Sequence, residues 1–171
     1  MIHLVTGGAR SGKSGWVVRQ AEALDGPLTF VATAEALDED MTERIARHRL
    51  ERSPRWSTHE EPRALATLLP TLGGAGVVVD CLTMWISNLL FANEAGGGDA
   101  AVEAEIDRLV GTLDAVRAPI WLVTNEVGLG IVPGDALSRR YRDLLGRCNQ
   151  RVAARADHVT LLVSGLPLRL K

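Results

Sequence analysis

The stretch Leu4-Val5-Thr6-Gly7-Gly8-Ala9-Arg10-Ser11-Gly12-Lys13-Ser14 decides the fold. Its first residues continue a short apolar run from Ile2 that reads as a β-strand, and the residues from Lys13 towards Leu24 read as a helix. Between them Gly7, Gly12, Lys13 and Ser14 satisfy the spacing G-x-x-x-x-G-K-S. Glycines let successive backbone N–H groups wrap a phosphate with no Cβ in the way. A lysine there reaches the β- and γ-phosphates, a serine hydroxyl ligates Mg²⁺, and the helix start adds partial positive charge. The loop from Gly7 to Ser14, with Gly8, Ala9, Arg10 and Ser11 inside it, is therefore a nucleoside-triphosphate-binding element.

Working outward, short β-rich runs alternate with helical patterns, the signature of a mostly parallel α/β sheet with helices on both faces. Asp25-Gly26-Pro27 breaks the first helix and Leu28 to Ala32 forms a second strand. A charged helix is expected from Asp38 to Arg52, ended by Ser53-Pro54. Trp56 to Glu60 reads as a loop and Pro62 to Leu69 as a helix. Further strands are expected at Val77–Asp80, Ile120–Thr124 and Val159–Val163. Helices are expected at 83–92, 100–116 and 135–155, with a short tail over Leu168–Leu170. Gly96-Gly97-Gly98 reads as a surface link, so residues 1–171 are expected to form one domain.

Composition narrows the function classes. A net charge of −2 with both signs spread along the chain argues against nucleic acid as main partner. The start lacks the pattern of a signal peptide, and no apolar run approaches the roughly 18 residues of a membrane span. Cys81 and Cys148 form no Cys-x-x-Cys pair, suggesting neither a disulfide scaffold nor a zinc site and a reducing cytoplasm.

Three further residues are candidates for chemistry. Asp80 ends a β-branched run, where such folds hold Mg²⁺ directly or through water; an aspartate there also caps helices or solvates turns. Glu126, beyond Thr124, either activates a nucleophile or a water or is a plain loop carboxylate. His48 shares a helical face with Met41, Arg44, Ile45 and Arg52, and the arginines suit a polyphosphate. They also favour neutral imidazole, the nucleophilic form. From the residues alone, nucleophile and structural histidine both stand. His3 and His158 read as structural.

The sequence resembles the bifunctional adenosylcobinamide kinase / adenosylcobinamide-phosphate guanylyltransferase family of cobalamin biosynthesis. The resemblance spans nearly the whole chain. Besides the phosphate loop it is carried by Arg44-Ile45 with His48, Trp56-x-Thr58-x-Glu60 and Asp80-Cys81-Leu82-Thr83 with Ser87-Asn88-Leu89-Leu90. Asn125-Glu126-Val127-Gly128 with Gly130-Ile131-Val132-Pro133 is its family-specific part, and Gly146-x-x-Asn149-Gln150 and Ser164-Gly165-Leu166-Pro167 also match. It implies a RecA-like fold and a homotrimer. It also implies phosphorylation of the aminopropanol hydroxyl of adenosylcobinamide by ATP or GTP, then transfer of GMP from GTP through guanylylated His48. By the same resemblance the guanine nucleotide meets the phosphate loop, Ala32-Thr33-Ala34, Arg49-Leu50-Glu51-Arg52, Glu60 and Asp80. The chain departs from relatives at Gly15-Trp16, in the first turn after the loop. A simple small-molecule kinase and a nucleotide-switched binding module are the competing readings.

Overall fold

A computed structural model describes residues 1–35, 53–94 and 96–171. The expected helix from Asp38 to Arg52, with His48, Arg44 and Arg49 to Arg52, lies outside the described residues.

One seven-stranded sheet organises the chain, in the order β3-β2-β4-β5-β1-β6-β7. Its strands are β1 (Ile2–Gly7), β2 (Leu28–Ala32), β3 (Trp56–Glu60), β4 (Gly76–Asp80), β5 (Ile120–Val123), β6 (His158–Val163) and β7 (Leu166–Arg169). All pairings are parallel except β6 with β7. β2 and β5 are buried at every residue, as expected of central strands covered on both faces.

Helix α1 (Lys13–Glu22) covers one face, packing Val17 and Ala21 on Val5, Phe30, Val78 and Val123. On the other face lie α2 (Leu65–Leu68), α3 (Leu82–Ala92), α4 (Gly98–Thr112) and α5 (Ala136–Arg155). There Trp85, Ile86, Ile106, Leu109, Leu144 and Val152 meet Leu4, Val79 and Leu122. Arginines stitch α5 to α4: Arg140 to Asp99, Arg147 to Glu103, and Arg151 to Glu103 and Asp107. None of the helices among the described residues is long and apolar enough to cross a membrane.

Two expectations are corrected. Trp56 to Glu60 is a strand, not a loop, pairing with Leu28 to Ala32 in register. Its Trp-Ser-Thr-His-Glu composition escapes apolar patterning because it lies at the sheet edge, where its side chains stay partly or fully exposed. The tail over 168–170 belongs to β7, which begins at Leu166 and carries Pro167, a residue an edge strand tolerates. Ser164 and Gly165 join β6 to β7, both with positive φ (51° and 83°), as a two-residue hairpin turn requires.

Candidate nucleotide site

The phosphate loop leaves the end of β1 and enters α1 at Gly12, whose φ of 91° is left-handed. Gly7 has φ 151°, and a Cβ there would stand 2.4 Å from the Leu162 carbonyl oxygen. Gly7 therefore needs to be glycine for reasons of backbone and of space, and Gly12 for its backbone. The loop is tied to its surroundings through main chain: Gly165 N–H donates to Ser11 O at 2.9 Å, and Glu126 N–H to Gly7 O at 3.1 Å. Gly15-Trp16 leaves this intact. Trp16 N–H closes the first helical turn on Gly12 O at 2.9 Å, and its half-buried ring packs on the core between α1 and the sheet.

Lys13 is only 7% exposed. Its ammonium donates to Gly8 O at 2.6 Å, to Gly7 O at 3.0 Å and to Ser11 Oγ at 3.4 Å. Burial lowers its pKa, while the charge of Asp80 pulls it back up. This coupling puts the β4 acid within electrostatic reach of the loop. Ser14, the next residue, is half-buried in the first turn of α1.

Strand order explains how Asp80 comes close. β5 lies between β1 and β4, so Asp80 stands two strands from the loop, about 10 Å across the sheet. Asp80 pairs in register with Ala32 on β2 and with Val123 on β5. The peptide bond from Asp80 to Cys81 is cis. Thr33 locks this edge: its Oγ1 donates to Cys81 O at 2.6 Å and accepts from Cys81 N–H at 2.8 Å. Its hydroxyl is thus committed to the fold. Asn88 on α3 donates to Thr33 O at 2.7 Å and to Pro62 O at 3.1 Å. Ala34 follows, and Glu60 ends β3 opposite Ala32.

A polar cluster at the tip of β5 escaped sequence reading. Buried Thr124 donates to Asn149 Oδ1 at 2.8 Å, Asn149 Nδ2 donates to Asn125 O at 3.1 Å, and Asn125 N–H donates to Thr83 Oγ1 at 2.9 Å. Thr83, Asn125 and Asn149 each lie in a segment that carries the family resemblance, but nothing in their spacing states that they meet. Glu126 follows, its Oε1 accepting from Gly128 N–H at 2.8 Å. It lines a groove of about 610 Å³ between β1, β6 and α5.

The phosphate loop, the acid on β4 and the strand interposed between them define a RecA-like P-loop nucleoside-triphosphatase fold. The crystal structure of the RadB recombinase shares it, with a TM-score of 0.53 at 17% identity over 94% of this chain and 73% of that one.

Within that class, residues 3–170 match the family model for cobinamide kinase / cobinamide phosphate guanyltransferase, and the chain belongs to this family. It is 43% identical over 173 residues to the bifunctional adenosylcobalamin biosynthesis protein CobP of Pseudomonas aeruginosa, covering 100% of this chain and 98% of the relative. It is also 43% identical over 185 residues to CobU of Salmonella typhimurium, a protein of the same description, covering 100% of both.

Proposed function

We propose that this chain carries out both steps of its family's chemistry on one nucleotide site. ATP or GTP first phosphorylates the aminopropanol hydroxyl of adenosylcobinamide. GMP is then transferred from GTP to the new phosphate, giving adenosylcobinamide-GDP and pyrophosphate. The carrying observation is the intact loop from Gly7 to Ser14, with Asp80 ending β4 two strands away, in a chain of this family.

In this reading Lys13 stabilises charge on the polyphosphate, and loop N–H groups hold its oxygens. The hydroxyl of Ser14 and the carboxylate of Asp80 are hard oxygen donors suited to Mg²⁺, which when bound neutralises phosphate charge. For the second step, neutral His48 imidazole attacks the α-phosphorus of GTP, forming an N–P bond as pyrophosphate leaves. An oxygen of the cobinamide phosphate then attacks that phosphorus and the imidazole departs. Arg49, Leu50, Glu51 and Arg52, with Ala32, Thr33, Ala34 and Glu60, are assigned to the guanine nucleotide by the family resemblance. The 171 residues act as one domain, as a homotrimer working in the cytoplasm, where its nucleotides are abundant.

The test is incubation with GTP labelled at the α-phosphate. Wild-type protein is expected to retain acid-labile, alkali-stable label, and His48→Ala to lose it while still phosphorylating adenosylcobinamide. A simple kinase or a nucleotide switch retains none. Label that persists in His48→Ala places the nucleophile elsewhere.

A further inference from the structure

Phosphoryl transfer to a hydroxyl requires a seat for the acceptor and a group to take its proton, neither of which the phosphate loop supplies. Helix α1 fills the space on one side of β1. On the other side runs the groove of about 610 Å³, floored by Leu4, Thr6 and Val159 and walled by α5. Its upper end is the turn after β5, where Glu126 and Leu129 line it.

Three observations give this groove a chemical direction. Glu126 stands against the loop through its N–H on Gly7 O, so the groove opens beside the phosphate site. Two carboxylates line the groove, and they differ. Asp143 is held by Arg142 at 2.9 and 3.1 Å. Glu126 has no cationic partner among the described residues; a backbone amide fixes its Oε1. Finally, Thr6, one residue before Gly7, has a buried Oγ1 with no hydrogen-bond partner among the described residues. Beyond Glu126, exposed Leu129 gives the groove an apolar lip, with Ile131 and Val132 also exposed a few residues on, while Gln150 adds an amide to the α5 wall.

An apolar lip, an amide wall and a carboxylate next to the phosphate site suit an acceptor with a large apolar body, an amide-bearing periphery and one alkyl hydroxyl. We infer that the groove seats the corrinoid acceptor and that Glu126 is the general base of the kinase step. The inference rests on the proposed function. In the step, the acceptor oxygen bonds to the γ-phosphorus as the bond from that phosphorus to the β,γ-bridging oxygen breaks. The hydroxyl proton passes to the Glu126 carboxylate and then to water. Guanylyl transfer needs no such base, because its acceptor is already an anionic phosphate.

Two variants of the full chain test this. Glu126→Gln is expected to lower kcat for ATP-dependent phosphorylation of adenosylcobinamide by about 100-fold or more, with KM for ATP unchanged, and Glu126→Asp to recover part of the loss. Gly146 lies on α5 in the groove wall, and a Cβ there meets nothing within 4 Å. Gly146→Phe therefore enters the groove from a position with room for its Cβ and is expected to raise KM for adenosylcobinamide by about tenfold, with KM for ATP unchanged. If wild-type protein phosphorylates the corrinoid but Glu126→Gln keeps kcat within about threefold, or Glu126→Asp does no better than Gln, the base role is overturned. An unchanged corrinoid KM in Gly146→Phe overturns the groove as its seat. Wild-type protein that neither phosphorylates the corrinoid nor takes label from GTP refutes the proposed function itself.

Discussion

Gly7 and Gly8 stand side by side in the phosphate loop and carry different loads. A methyl group at Gly7 would meet Leu162 O at 2.4 Å and Ser11 Oγ at 2.8 Å, on a backbone with φ 151°. At Gly8 it would meet nothing within 4 Å. Gly7→Ala is therefore expected to cost about 2 kcal/mol or more and to abolish nucleotide binding. Gly8→Ala is expected to melt within about 2 °C of wild type, so any affinity it loses reports crowding of the phosphate itself. Thermal melts with and without ATP check both; a Gly7→Ala protein as stable as wild type would contradict the geometry. The loop was legible at this scale because its chemistry fixes both residue type and spacing. Two facts were not. Lysine spacing says nothing of the burial of Lys13, and Thr33, assigned to the nucleotide by resemblance, spends its hydroxyl on Cys81.

At the scale of elements, β1 was legible as an apolar run after which the glycines begin, whereas β3 and β7 were not. An edge strand has one paired neighbour, so period-two burial imposes little on its composition. The polar residues of β1 carry a consequence for pH. His3 stacks on Trp121 with ring centroids 5.2 Å apart, and its Nε2 is buried without a hydrogen-bond partner among the described residues. Burial first, then the charges of His158 and the N-terminus, push its pKa down from 6.5 to about 4, against a smaller upward pull from Asp157. Arg169 adds a further cation, 3.1 Å from His158 Nδ1. The unfolded chain takes up this proton first. Stability from neutral His3 is therefore complete above pH 6.5, is lost as pH falls towards about 4, and changes no further below. His3→Leu is expected to flatten the fall in melting temperature across that window. An identical pH profile in the variant would assign the fall to other groups.

For the whole molecule, alternation of strands and helices made the parallel α/β class legible, and the resemblance supplied the RecA-like form. The order of strands was not legible, since nothing in a strand's own sequence states its neighbours. Nor was the surface left by the β6–β7 hairpin, where Val163, Leu166, Leu168 and Leu170 are all more than half exposed. Together with the edge of β7 they offer an apolar face suited to a second copy of the chain, in keeping with the proposed trimer. Leu166→Glu with Leu168→Glu is expected to shift the mass measured by light scattering from trimer to monomer. A wild-type monomer, or a double variant that stays trimeric, removes this hairpin from the contact.

The placement of β1 between β5 and β6 also bears on how the molecule comes into being. Residues 2–7 are synthesised more than a hundred residues ahead of their partners, residues 120–123 and 158–162. The loop's hold on Gly165 waits longer still. A nascent chain thus carries the complete G-x-x-x-x-G-K-S spacing long before it owns a working cradle. Such distant pairings are slow to close, because loop entropy is lost before the contacts repay it. Competence to grip a nucleotide therefore arrives only once residue 165 has been made, and chains cut short before the hairpin hold the motif without the pocket.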